Sequence, residues 1–354
     1  MATFGSSRLQ SGQPMYGVKI TGVGAGIAPY VITNDDLASS LDTSDEWIYS
    51  RTGIKSRRVV GGDTTMADLA IAASKEAIAS AGYQPEDIDF IIAGTSTPDI
   101  LFPALSAQIQ AGLNAPHLAG FDLALACTGF VAAMTTAEQF LRTGMYRRIL
   151  VVGADVLSRF MDWEDRTTCI LFGDGAGAVI MEAITPEDPA SEDTFYARTL
   201  HLDGIHGEQL CLKFNHANAP FVPAKTPVNP HLTMNGREVY KFATRVAPQA
   251  VQSVLEECDM TVEALDWLIL HQANIRIMQV MSEQLGIPEH KMVMNLDRYG
   301  NTSAASIPLA LHEAVTDGRI QPGHLIATCG FGGGLSWGAS LFRWSGRPQN
   351  TPSS

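Results

Sequence analysis

What most constrains the fold is an alternation: short, wholly apolar runs of strand length, each followed by residues at helical spacing. Asp89-Phe90-Ile91-Ile92-Ala93-Gly94-Thr95 and Arg148-Ile149-Leu150-Val151-Val152-Gly153-Ala154-Asp155 read as strands buried on both faces. Thr65-Met66-Ala67-Asp68 is a capping box that opens a helix running to Ala81 and stopped by Gly82. Ala104 to Leu113 reads as another helix, and Gly173 to Glu182 as a turn and one more strand. The alternation predicts an α/β protein built on a parallel, helix-covered sheet.

The order then recurs. Residues 17–184 form one half and 234–354 the other, with a polar connection over 185–233 and a flexible tail over 1–16. The second half predicts a helix from Arg237 to Cys258 kinked at Pro248, a strand from Leu265 to His271, and a helix capped by Asn274 that ends before Gly286. A short strand at Met292 to Asn295 and a helix after Asn301 follow. Leu325 to Gly330 and Ser336 to Trp344 read as strands separated by Phe331-Gly332-Gly333-Gly334. With 354 residues, two such halves point to duplication, with a site where the halves meet. Near the start, Gly17 to Ile27 reads as a strand running into a glycine turn. It does not complete a dinucleotide-binding fingerprint, because Ile27 replaces the third glycine and Pro29 blocks a helix.

The chemistry centres on Phe121 to Met134, an apolar strand pattern that stops at Cys127 and continues with Phe130, Ala133, Met134, Ala137, Phe140 and Leu141 on one helical face. A thiol at a helix start faces unpaired N–H groups, which argues its pKa downward; burial argues it upward. Free cysteines are ordinarily small core hydrophobes, and Cys169, Cys211, Cys258 and Cys329 are read that way. Five cysteines without regular spacing argue against a disulfide framework and for a reducing compartment. His271 follows an apolar strand directly, and Asn301 lies in a Gly-Asn turn before small residues. The glycines 332–334 are either a plain turn or a place where N–H groups meet a carbonyl. Cys, His and Asn together fit a thiol protease or an acyl-transfer enzyme, and their spacing leaves both open.

Asp45-Glu46-Trp47-Ile48 leads into four cations and no acid between positions 51 and 58: Arg51, Lys55, Arg57 and Arg58. Such a run is a solvated face, or a site for an adenine ring and phosphates beside an aromatic. The net charge of −13 argues against nucleic acid as a partner, and no apolar run approaches a membrane span.

Jointly these motifs are specific. From Gly17 to Trp344 the chain closely resembles the beta-ketoacyl-[acyl-carrier-protein] synthase III family, the initiating condensing enzymes of dissociated fatty acid synthesis. The resemblance rests on Asp45-Glu46-Trp47-Ile48 with Arg51-Thr52-Gly53-Ile54, Ala126-Cys127-Thr128-Gly129-Phe130, Gly173-Asp174-Gly175-Ala176-Gly177, His271-Gln272-Ala273-Asn274, Gly300 to Ser306, and Phe331 to Gly334. It implies a thiolase-like fold, a duplicated five-layered αβαβα architecture, acting as a homodimer. It implies that Cys127 takes an acyl group, acetyl by expectation, from acyl-CoA, and that His271 with Asn301 drives decarboxylative attack by malonyl-acyl carrier protein. The N–H groups of Cys127 and Gly333 would form the oxyanion hole. Trp47 and Arg166 match positions that sandwich the CoA adenine, and Arg51 and Thr52 match phosphate-side contacts. Asn274 matches a residue of the pantetheine region, Arg276 a cation that docks the acidic carrier, and Phe102 an aromatic that reaches across the dimer into the neighbouring primer pocket. No metal or cofactor is implied, since the CoA thioester is a substrate. The expected compartment is the cytoplasm, or the plastid stroma in a plant or alga.

The resemblance has departures. Thr128 stands where Ala or Ser is common, and the stretch from His201 to His231 is altered where primer length is set. The alternatives within reach are a secondary-metabolism relative using an unusual primer, and a catalytically silent acyl-binding subunit.

Overall fold

The computed structural model describes residues 16–184, 192–213, 221 and 228–347. The tail expected over 1–16, apart from Tyr16, and parts of the 185–233 connection lie outside them. The first half comprises β1 (Gly17–Ile27), β2 (Tyr30–Thr33), α1 (Asn34–Ala38), α2 (Asp45–Thr52), β3 (Ser56–Val59), α3 (Met66–Ala81), β4 (Phe90–Gly94), α4 (Leu105–Gly112), β5 (Ala119–Leu123), α5 (Gly129–Arg142), β6 (Arg148–Val156) and β7 (Asp174–Ile184). The remainder comprises β8 (Phe195–Leu202), β9 (Leu210–Cys211), β10 (Thr233–Met234), α6 (Gly236–Glu256), β11 (Trp267–Leu270), α7 (Ile275–Leu285), α8 (Leu296–Tyr299), α9 (Ser306–Thr316), β12 (Leu325–Gly332) and β13 (Ser336–Arg343).

One sheet runs β1-β7-β6-β4-β5 and the other β11-β12-β13-β8. Read from β8, the second repeats the first: antiparallel β8-β13 and β13-β12, then parallel β12-β11. The strand expected at Met292 to Asn295 is reduced to a single parallel bridge between Leu268 and Met292, at the position β5 holds in the first sheet. Two expectations are corrected here. The sheets are mixed, because no crossover helix separates β6 from β7 or β12 from β13, and strands joined without a crossover pair antiparallel. The 185–233 stretch is more than a connection, since it supplies β8 to the second sheet.

The alternating burial of each strand explains the layers. In β4, Ile91 and Ala93 pack with α3 and α4, while Phe90 and Ile92 face a central core with Phe130, Met134, Ile307 and Leu311 of α5 and α9. In β12, Ile326 faces the same central core, while Leu325 and Ala327 pack against Val246, Val251, Ile277 and Met281 of α6 and α7. The succession is thus α3/α4, sheet, α5/α9, sheet, α6/α7, five layers with the starts of α5 and α9 at the centre. β1 differs from its expected glycine turn: it is one continuous strand, and its glycines let α3 sit against it. A Cβ on Gly24 would stand 2.2 Å from the Ala73 carbonyl oxygen, and one on Gly26 2.0 Å from that of Leu69. The Thr65 capping box and the left-handed Gly82 cap of α3 form as expected.

Candidate active site

Cys127 occupies a 3-10 turn, Ala126–Thr128, between β5 and α5. Ala126 is held at φ +42°, a conformation costly for a side chain with a Cβ, and its N–H donates to the Ser96 hydroxyl at 3.0 Å. Gly332 presses on the thiol from β12: a Cβ there would lie 2.8 Å from Cys127 Cβ and 2.9 Å from Sγ. The Cys127 sulfur accepts from the Ser303 hydroxyl at 3.4 Å, and the N–H groups of Gly333 and Cys127 also converge on it. Burial nevertheless dominates and pushes the thiol up to about 11, so burial, not the helix start, decides its protonation.

His271 stands at the end of β11, its N–H donating to the Cys329 carbonyl at 2.8 Å. The buried Gln272 beside it clamps this exit, donating to the carbonyls of Leu270 (2.7 Å) and Val293 (3.1 Å) and accepting the Asn295 N–H. His271 Nδ1 lies 2.7 Å from the Ser306 hydroxyl, which also reaches the Ser303 carbonyl at 2.8 Å. The Phe331 ring packs edge-on against the imidazole at 5.3 Å between centroids. Burial alone pushes His271 down to about 3, leaving a neutral ring whose Nε2 is left to serve the cavity. Asn301 is fixed by backbone bonds to Leu171 and Gly173, and its Oδ1 accepts the Ser303 N–H at 2.9 Å. That bond orients the amide so that Nδ2 is the free donor.

Cys127, His271, Asn301 and Gly332 meet at the floor of a cavity of about 310 Å³ whose mouth holds Trp47, Arg51 and Arg166. A second cavity of about 300 Å³ lies beyond Cys127, lined by Ala124, Leu157, Leu212, Leu232 and Gly333 among others. The thiol therefore stands between an entrance passage and an apolar chamber.

At the mouth, Arg51 lies 4.3 Å over the Trp47 ring and Arg166 5.1 Å over it. Arg166 also bonds the Asp42 carbonyl and, at 3.2 Å, its carboxylate. A sandwiched ring needs more room than this spacing gives, so Arg166, which is partly exposed, must swing aside to admit one. Thr52 lines the cavity, but its hydroxyl donates to the Ile48 carbonyl at 2.8 Å and accepts the Ile54 N–H at 3.0 Å. Asn274 caps α7 and donates to the Arg51 carbonyl at 3.1 Å, while Arg276 donates to the Ser50 carbonyl at 3.0 Å. Both residues thus tie α7 to the carbonyl end of α2. Of the cation run, Arg57 is withdrawn from the surface: it is fully buried and bonded to Ile32, Asn34 and Ile170, while Arg51, Lys55 and Arg276 remain exposed. Phe102 lines neither cavity and is 86% exposed beside Leu101 at 71%.

Sequence reasoning missed four contributors: Ser303, Ser306, Phe331 and Asp155. The serines carried a signal, since their three-residue spacing at a helix start puts both on one face. Asp155 carried another, an acid closing a wholly apolar strand.

The fold and the buried Cys-His-Asn floor define a thiolase-like condensing enzyme, a class of acyltransferase. Residues 121–199 match the model of 3-oxoacyl-[acyl-carrier-protein (ACP)] synthase III, and residues 255–344 match that of its C terminal. A beta-ketoacyl-[acyl-carrier-protein] synthase III of Synechococcus sp. is 50% identical over 336 residues, covering 94% of this chain and 98% of its own. One of Synechocystis sp. is 49% identical over 331 residues, covering 93% and 98%. The solved 3-oxoacyl-[acyl-carrier-protein] synthase III of Aquifex aeolicus has a TM-score of 0.85 and 41% identity, covering 93% of this chain and all of that one. The chain belongs to the beta-ketoacyl-[acyl-carrier-protein] synthase III family, the condensing enzymes that initiate fatty acid synthesis. No helix among the described residues is long and apolar enough to cross a membrane.

Proposed function

We propose that the chain condenses an acyl-CoA primer, acetyl-CoA in the first instance, with malonyl-[acyl-carrier-protein] to give 3-oxoacyl-carrier, CO2 and CoA. The observation that carries this reading is the placement of Cys127 at the junction of the two cavities, with the free Asn301 amide and the neutral His271 ring on the entrance side. In the first half-reaction the sulfur attacks the acyl carbonyl, CoA departs, and the acyl chain occupies the apolar chamber. The N–H groups of Cys127 and Gly333, directed at the sulfur in this structure, are the proposed donors to the oxyanion. In the second, malonyl-carrier enters from the mouth and its thioester carbonyl accepts from Asn301 Nδ2 and His271 Nε2. This step uses the tautomer with the ring proton on Nε2, in which Nδ1 accepts the Ser306 hydroxyl after that hydroxyl turns away from the Ser303 carbonyl. Loss of CO2 places charge on that carbonyl, where fixed donors in a dry site act most strongly. The resulting carbon attacks the acyl-enzyme and Cys127 leaves. No bound cofactor is required, because the thioester and the departing CO2 supply the driving force.

Trp47, Arg51 and Arg166 are the proposed CoA contacts, Thr52 serving through its backbone position and Asn274 through its hold on Arg51. Arg276, Arg51 and Lys55 give a locally cationic rim to an acidic chain, suited to an acidic carrier. We assign Phe102 and its exposed apolar neighbours to a homodimer contact in which Phe102 reaches the partner's chamber. The proposed compartment is the cytoplasm, or the stroma of a plastid. Mixing with acetyl-CoA should add one acetyl group by mass, and Cys127→Ala should abolish it. A primer series from acetyl to octanoyl and branched CoAs, with malonyl-carrier as extender, then identifies the product. Absence of any acyl adduct on the intact chain overturns the reading.

A further inference from the structure

Asp155, at the end of β6, has no role in the reaction as proposed, yet it is completely buried one hydroxyl away from the reacting sulfur. Its Oδ1 accepts the Ser96 N–H at 2.9 Å, the Thr97 hydroxyl at 2.8 Å and the Thr95 hydroxyl at 3.3 Å. Its Oδ2 accepts the Ala304 N–H at 3.2 Å, and the neighbouring Ser303 hydroxyl lies near enough to favour the carboxylate. These partners, drawn from the β4 exit and from the turn before α9, are all neutral. The titratable groups that share its chamber are Cys127 and Cys211, and His271 faces Cys127 from the entrance side. An acid buried without a cation is costly as the anion, and burial pushes this carboxyl up. Ser303 is held at φ +51°, and in that conformation its Oγ stands 3.4 Å from Cys127 Sγ. Its single hydroxyl proton is given to the sulfur in this structure, and a turn of that O–H toward the neighbouring carboxylate leaves Oγ free to accept from the thiol.

We propose that Ser303 and Asp155 form a proton relay for Cys127: Ser303 touches the reacting sulfur, and Asp155 positions and drains it as the terminal proton acceptor. This deepens the acyl-transfer reading and rests on Cys127 being the acylated residue. In the first half-reaction the thiol proton passes to Ser303 Oγ while the Ser303 proton passes to the Asp155 carboxylate. The sulfur forms its bond to the acyl carbon, the bond from that carbon to the CoA sulfur breaks, and the CoA thiolate takes a proton from water. Asp155 stays neutral through the acyl-enzyme. When condensation expels the Cys127 thiolate, the same path returns the proton. The relay frees His271, a weak base in this setting, to act as a donor in the second half-reaction.

Alkylation of Cys127 by iodoacetamide, followed by mass, tests the relay without needing acyl transfer. Asp155→Asn and Ser303→Gly, the latter suited to the positive φ, are compared with the intact chain from about pH 5 to about pH 9. A working relay makes both variants alkylate roughly 100-fold more slowly near neutrality, and their rates then rise only with ionisation of the thiol itself. If Asp155 acts on Cys127 merely as a nearby negative charge, neutralising it lowers the thiol pKa and Asp155→Asn alkylates faster. Equal or faster alkylation in Asp155→Asn overturns the relay, and so does an unchanged rate in Ser303→Gly should Asp155→Asn fail to fold. An intact chain that alkylates as the relay requires but takes no acetyl from acetyl-CoA refutes the acyl-transfer reading instead.

Discussion

The two halves share a strand order, β1-β7-β6-β4-β5 against β8-β13-β12-β11, yet equivalent positions carry different chemistry. After β5, the first half makes a 3-10 turn with Ala126 at φ +42° and then α5; after the Met292 bridge, the second makes one with Ser303 at φ +51° and then α9. The two turns face each other across the centre, so a thiol from one half meets a hydroxyl and an amide from the other. The β4 exit gives Thr95 and Ser96, where the β11 exit gives His271 and Gln272. Repetition therefore supplies the crevice, and a few unlike residues at matched exits supply the reaction. The first half holds Cys127, the proposed acylation site, and the second holds His271 and Asn301, the proposed donors for condensation.

The sharpest test of this division is His271→Ala or Asn301→Ala. Each should slow condensation roughly 10²–10³-fold while the acetyl adduct on Cys127 still forms. Loss of the adduct to the same degree would mean that the halves do not divide the work. Gly332→Ala breaks the seam itself, forcing a methyl group against Cys127. We expect about 1–3 kcal/mol of destabilisation in thermal unfolding and a slower acylation, with carrier binding retained. Arg276→Glu should weaken use of malonyl-carrier by about tenfold and self-acylation from acyl-CoA far less, measured as separate half-reactions. Equal losses in both would remove the carrier from its role.

The smallest effect concerns acid. His271 sits at about 3 in the folded chain against its ordinary 6.5, so below that ordinary value the unfolded chain binds a proton that the folded one refuses. Stability from this group is full above that range and falls as pH drops through it. At roughly pH 6 the loss is about 1 kcal/mol, and His271→Gln should flatten that part of the unfolding-versus-pH curve.

Much of this was legible in the residues. Capping at Thr65, Gly82 and Asn274 is local chemistry, and each forms as read. The doubly apolar β4 and β6 announced strands covered on both sides. Local reading failed where the determinant was a distant neighbour. The β1 glycines looked like a turn because nothing nearby shows a helix lying on them. Arg57 looked like part of a cationic face because its three acceptors come from Ile32, Asn34 and Ile170.

The sequence by itself determined the alternation of strands and helices, the recurrence of that order, and the candidate trio of Cys127, His271 and Asn301, since periodicity, caps and residue chemistry are local properties. Only the tertiary structure decided that the sheets are mixed, that burial raises the thiol pKa, and that Ser303 and Asp155 stand behind it. Those facts turn on burial and on hydrogen bonds between residues 149 and 176 positions apart, and a chain acquires them only once its layers close.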